Sequence, residues 1–112
     1  MSFFQKIFGR STTPENVYVL TPMEFKSMIK SHDVQLVDVR TPLEYRKGHI
    51  DNAINIDFYS TRFFKDMERL NKSEPVFLYC RSGVRSRRAA EKLALLSFSE
   101  IYDLQGGIIS WK

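Results

Sequence analysis

The chain reads as an α/β domain, a small parallel sheet with helices on both faces. Three observations predict it. Short apolar runs of strand length alternate with helix-like stretches from Val17 to Trp111, without a linker, a repeat or a low-complexity segment. Two of those runs lead directly into the helix-start pattern Thr-Pro-x-Glu. The 112 residues, 43% hydrophobic and 27% charged, are enough for one core and leave no room for a second catalytic domain. Strands separated by helices pair in parallel through right-handed crossovers, and both faces of such a sheet are covered. The expected division is a tail or packing segment over residues 1–15 and one domain over 16–112.

Val17 to Leu20 is the first expected strand. Thr21-Pro22-Met23-Glu24 then opens a helix, with Thr as N-cap, Pro in the first turn and Glu at the position that closes a capping box. Leu20 and Phe25 stand where a hydrophobic staple belongs. Val34 to Val39 reads as a buried strand, and Thr41-Pro42-Leu43-Glu44 repeats the start signal for a short helix ending by Gly48. Ala53 to Ile56 is a short strand. From Ser60 to Leu70, the residues Phe63, Phe64, Met67 and Leu70 recur at helical spacing, predicting an amphipathic helix with its aromatics in the core. Val76 to Tyr79 is the next strand, and Ala89, Ala90, Leu93, Ala94 and Leu96 mark the inner side of a helix over 85–96. Ile101 to Leu104 forms a last strand, Gly106-Gly107 a turn, and Ile108 to Trp111 a helical turn with Trp111 plugging the core.

Charge and cysteine usage narrow the function. The net charge is +4. Its basic focus is Arg81, Arg85, Arg87 and Arg88 in one short stretch, which suits a small anion better than a nucleic-acid backbone. One cysteine forms no internal disulfide, and no cysteine–histidine cluster has zinc spacing, so neither a structural staple nor a metal is expected. A free reactive thiol suits a reducing compartment, and a cytoplasmic location is expected. The first ten residues are apolar and basic but lack the core and cleavage site of a signal peptide. They read as a tail, with a membrane surface or a partner as the alternative role. No run is long enough to span a bilayer.

The chemistry concentrates in Cys80-Arg81-Ser82-Gly83-Val84-Arg85-Ser86, which follows an apolar strand and precedes a helix. In parallel sheets ligands sit at the carboxyl ends of strands, and Cys80 stands at such an end. A loop whose amides turn inward, a helix N-terminus behind it and guanidinium groups beside it make an anion cradle that favours a thiolate. Gly83 provides the positive φ the turn needs. An ordinary thiol with a pKa near 8.5 is only about 3% ionised at pH 7, and stabilising the anion by about 2.7 kcal/mol makes it the main form. The competing reading is an inert core cysteine, and a thiol sealed from solvent would favour that reading.

These residues resemble the single-domain rhodaneses, a family of sulfurtransferases. The resemblance rests on four motifs in order: Leu36-Val37-Asp38-Val39-Arg40; Glu44-Tyr45-Arg46-Lys47-Gly48-His49-Ile50 leading into Ala53-Ile54-Asn55-Ile56; the loop at 80–86; and Leu104-Gln105-Gly106-Gly107 followed by Trp111. It implies that Cys80 attacks the outer sulfur of thiosulfate or a related small anionic donor, keeps it as a persulfide and passes it to cyanide or a thiol acceptor, with no cofactor. In that scheme Arg81, Ser82, Gly83, Val84, Arg85 and Ser86 bind the substrate, and Asp38 and Arg40 support the loop or form a structural salt bridge. The alternative is a persulfide carrier that receives sulfur from, or gives it to, a protein partner with little thiosulfate turnover. Cysteine-dependent phosphatases, some on the same fold, separate Cys and Arg by five residues. Here four lie between Cys80 and Arg85, which favours sulfur chemistry.

The remaining candidates have plainer readings. His49 belongs to the family's Gly-His-Ile turn and is expected to pack rather than act as a base. His32 follows a helix end, where it suits the dipole. Arg87 and Arg88 stand on the first helical turn, where cations are disfavoured, which points to attraction of anions or docking of an acidic partner, with a solvated basic face as the alternative. Asp51-Asn52 replaces the family's usual Pro-Gly, and Asn52 is expected to tolerate the left-handed backbone of that turn.

Overall fold

A computed structural model describes residues 14–111. Residues 1–13, which make up most of the expected tail, lie outside the described residues. The elements in order are β1 (Val17–Leu20), α1 (Pro22–Ser31), β2 (Gln35–Asp38), α2 (Pro42–Arg46), β3 (Ile54–Asn55), α3 (Phe63–Met67), β4 (Val76–Tyr79), α4 (Val84–Ala94), β5 (Ile101–Leu104) and a 3₁₀ turn (Ile108–Ser110). The five strands form one sheet in the order β1-β5-β4-β2-β3, with every pairing parallel.

Strand alternation divides the core into two layers. Val76, Leu78 and Cys80 face one side, where Phe63 and Met67 of α3 and Ala89, Ala90 and Leu93 of α4 pack. Phe77 and Tyr79 face the other, against Phe25 of α1, with Tyr45 of α2 and Trp111 at the margin. The period of two therefore decides where the thiol points: it continues the Val76–Leu78 row, toward α4 rather than α1.

Both Thr-Pro-x-Glu signals form reciprocal capping boxes. Glu24 N–H donates to Thr21 Oγ1 at 3.2 Å while Thr21 N–H donates to Glu24 Oε1 at 2.9 Å. The corresponding distances for Thr41 and Glu44 are 3.3 and 3.0 Å. Leu20 and Phe25 are both fully buried in the second layer, as a staple requires. Asn52 adopts φ 73°, so the turn lacking Pro-Gly closes as expected.

Four element boundaries and one placement depart from the sequence reading, one of them being α4, which ends at Ala94 rather than Leu96. β3 keeps only two residues, because Ala53 N–H is spent on closing a turn to Ile50 O at 3.0 Å. β2 is shorter at each end than 34–39. α3 starts three residues later than expected. Asp57 and Ser60 side chains accept from Tyr59 N–H and Arg62 N–H, at 2.9 and 3.0 Å, and hold the preceding segment in turns that compete with helix. Phe64, expected in the core, is 48% exposed and lies under Lys92 Nζ at 5.5 Å. A five-residue helix can bury only one edge, and Phe63 and Met67 occupy it.

Candidate active site

The thiol loop begins where β4 ends. Cys80 continues the strand, and Gly83, at φ 107°, turns the chain into α4 as its N-cap without any side-chain cap. The first amides of that helix therefore lack an internal acceptor. Two donors on this turn point at the sulfur: Gly83 N–H reaches Cys80 Sγ at 3.1 Å and Ser86 N–H at 3.3 Å. Hydrogen bonds of this kind, with the positive end of an 11-residue helix behind them, favour a sulfur bearing negative charge.

The rear of the loop is fixed by the last turn. Ile108 N–H donates to Cys80 O at 2.9 Å and Ile109 N–H to Arg81 O at 3.2 Å. Such an approach requires Gly107, at φ 67°: a Cβ there would fall 2.2 Å from Arg81 O. Carbonyls are thus tied at the back while amides turn inward.

A thiol sealed from solvent is the mark of an inert core cysteine, and on that criterion alone the structure counts toward the inert reading; the two amides aimed at Sγ are what count against it. Cys80 is 1% exposed and belongs to the α3–α4 layer of the core, because its strand row points inward and the loop folds over it. Arg81, Ser82 and Val84 are exposed around it. A reagent therefore has to reach a sulfur at the floor of the loop.

Arg85 is not free, although the sequence reading assigned it to an anion. Its Nη1 and Nη2 donate to Glu44 Oε1 and Oε2 at 2.7 and 3.0 Å, a bidentate pair joining α4 to α2. Tyr59 lies 5.8 Å from the guanidinium carbon. The guanidinium of Arg85 holds the Glu44 carboxyl down to about 2. The Arg85 group is stabilised in its charged form first by Glu44 and also by the field of Cys80, which sets it within electrostatic range of the sulfur.

Asp38 and Arg40 bond to each other rather than to the loop. Arg40 Nε and Nη2 donate to the buried carboxylate at 2.7–3.0 Å, and Nη2 also donates to Gly48 O at 2.7 Å. The pair fastens the end of β2 to the turn at 48–50. Tyr79 completes that fastening by accepting Ile50 N–H at 3.0 Å. Burial pushes the Tyr79 hydroxyl well above the usual phenol range. His49 stacks on Tyr45 with ring centroids 3.7 Å apart and bonds Tyr45 O through Nδ1 at 2.9 Å, a packing role. His32 Nδ1 lies 3.2 Å from Met28 O at the end of α1. Trp111 meets Phe25 edge-on at 6.0 Å.

Beneath the loop lies a group that sequence reasoning passed over. Asp103 of β5 is 1% exposed; Arg87 Nε donates to its Oδ2 at 3.3 Å, and its Oδ1 has no hydrogen-bond partner. Burial raises its pKa to about 6, opposed by Ser86 and Arg87. Arg87, expected to meet outside anions, is thus engaged inward. Arg88 is exposed, and both arginines wall a cleft of about 470 Å³ together with Gly83 and Asp103. Glu44, Tyr59 and Gly107 were also missed as site residues. Glu44 carried a signal, its place in the motif of 44–50, but the capping box was explanation enough for it.

Fold and loop together define a class: a parallel α/β domain with a single thiol at the carboxyl end of a central strand, cradled by the amides of a helix start. The chain belongs to the rhodanese-like domain family, whose pattern matches residues 21–112. It is 42% identical over 92 residues to the uncharacterized protein YqhL of Bacillus subtilis, covering 82% of this chain and 70% of that one. It is 31% identical over 93 residues to thiosulfate sulfurtransferase GlpE of Coxiella burnetii, covering 83% and 85%. A tRNA uridine(34) hydroxylase of Cytophaga hutchinsonii is 36% identical over 96 residues, but this chain (82% covered) spans only 30% of its length. The crystal structure of a rhodanese-like domain protein from Staphylococcus aureus superposes with a TM-score of 0.74 at 32% identity, covering 84% of this chain and 90% of that one. Among the described residues no helix is long and apolar enough to cross a membrane.

Proposed function

We propose that the domain, spanning residues 16–112, is a sulfurtransferase that carries sulfane sulfur on Cys80. The observation that supports this reading most directly is the pair of amides, Gly83 N–H and Ser86 N–H, aimed at Sγ. The same donors suit a thiolate before transfer and a persulfide anion after it. With thiosulfate, the Cys80 thiolate attacks the outer sulfur, an S–S bond forms to Cys80, the original S–S bond breaks, and its electron pair leaves with sulfite. Cyanide or a thiol then takes the outer sulfur and returns the thiolate. Arg81 is the exposed cation beside the thiol, and the loop backbone supplies the remaining donors.

Intact-mass measurement after incubation with thiosulfate tests it. The protein should gain one sulfur that cyanide removes, and Cys80→Ser should gain none. A wild-type protein whose mass does not change with any sulfane donor would defeat the reading. Hydrolysis of an aryl phosphate should stay at background, since four residues rather than five separate Cys80 from Arg85. A second reading, persulfide exchange with a protein partner in the cytoplasm with little thiosulfate turnover, draws support from the engagement of Arg85 by Glu44 and from the exposed Arg88 at the helix start.

A further inference from the structure

The cation expected to receive an anionic donor already has a resident anion. Both terminal nitrogens of Arg85 are taken by Glu44, and the Glu44 carboxylate is itself anchored by Thr41 N–H at 3.0 Å and by the Thr41 hydroxyl at 3.1 Å. The pair is therefore anchored at its carboxylate end, and an ionised carboxylate stands within the field that any donor at Arg85 must enter. Apolar side chains flank it. Leu43 next to Glu44, Val84 next to Arg85, and Tyr59 beside the guanidinium are 57%, 62% and 67% exposed. Such a rim adds no donor for a compact dianion and suits a donor with low charge and an apolar body.

We infer that Glu44 is a specificity-determining residue that, by occupying Arg85, disfavours dianionic thiosulfate and favours the persulfides of organic thiols as sulfur donors. The inference rests on the sulfurtransfer reading and adds the class of donor. In the favoured step the Cys80 thiolate attacks the outer sulfur of R–S–SH. The Cys80 S–S bond forms as the donor S–S bond breaks, R–S⁻ leaves with the electron pair, and it takes up the proton released by the transferred sulfur. Charge is conserved at one negative on each side, and Arg85 need not leave Glu44.

The test compares the rate of Cys80 persulfide formation from thiosulfate and from 2-mercaptoethanol persulfide generated in situ, read by intact mass on the same preparation. Glu44→Gln removes the charge while a Gln at this position still completes a capping box. It should raise the rate with thiosulfate about tenfold relative to the rate with the persulfide, the value of one freed charge-assisted hydrogen bond. Glu44→Ala should shift the ratio in the same direction even if part of the sample unfolds, because the folded fraction cancels between donors. Adding Arg85→Gln to Glu44→Gln should remove the gain. An unchanged donor ratio in the single variants, or a gain that survives loss of Arg85, would overturn the role of Glu44 and leave sulfur transfer standing. Failure of wild type with both donors would instead overturn sulfur transfer, and this inference with it.

Discussion

Three helices of this domain start directly behind a strand or its last turn, and they start in two different ways. α1 and α2 are closed by their own side chains, through the Thr21–Glu24 and Thr41–Glu44 boxes. α4 begins at Gly83 with no side-chain cap, and its free amides turn to a sulfur instead. A capped start satisfies its donors internally and is finished as structure, whereas an uncapped start retains donors for chemistry. The second box complicates the division, because Glu44 closes α2 and also reaches Arg85 on α4. Glu24 forms an equivalent box and has no ion pair among the described residues.

The largest expected effect comes from crowding the open start. Gly107→Ala places a Cβ against Arg81 O and imposes a strained positive φ, so stability should fall by about 3 kcal/mol, measured by chemical denaturation. Sulfur loading should fall with it even at temperatures where the variant stays folded. Undiminished loading would show that the rear fastening does not shape the cradle.

Relieving the buried carboxylate under that start ranks next. Asp103 has a folded pKa of about 6, above the roughly 3.9 of an unfolded chain. Its ionisation therefore costs stability above pH 6, and the cost disappears as pH falls from 6 to 4, where the folded state keeps its proton. Asp103→Asn should stabilise the protein by about 2 kcal/mol at pH 7, the roughly 3 kcal/mol of relieved ionisation less the weakened contact with Arg87, and by little at pH 4. Equal gains at both values would mean that packing, not charge, governs this position.

The smallest effects separate the two closed starts. Thr21→Ala and Thr41→Ala should each cost about 1 kcal/mol in thermal or denaturant unfolding. Only the second should also alter the thiosulfate-to-persulfide loading ratio, since it loosens Glu44. If Thr21→Ala altered that ratio equally, the distinction between the boxes would collapse. The Glu44–Arg85 contribution itself should persist on acidification until pH falls below the normal range for Glu. With the folded carboxyl held to about 2, the stabilisation is present above about pH 4.3 and is lost between there and 2.

Features set by local sequence were readable before the structure. The strand runs, both capping boxes, the left-handed turn at Asn52 and the placement of Cys80 at a strand end depend on neighbours within a few residues. Failures came where distant parts meet. Glu44 and Arg85 are 41 positions apart, so no local pattern pairs them. Asp103 looks like any polar residue near the end of a strand until α4 covers it. The depth of Cys80 depends on the loop folding back over an inward-facing row, and the need for Gly107 appears only once the last turn lies against Arg81. Phe64 obeyed helical spacing on a helix too short to bury it.

The two hydrogen bonds from Ile108 and Ile109 have a mechanical meaning. They splice the final turn onto the backbone that carries the sulfur, as though it were one more rung beyond the sheet. A displacement of that turn would reach the thiol backbone through these two bonds as well as through β5, which lies alongside β4. The site is thus wired to a handle at its back, far in sequence from the helix start at its front.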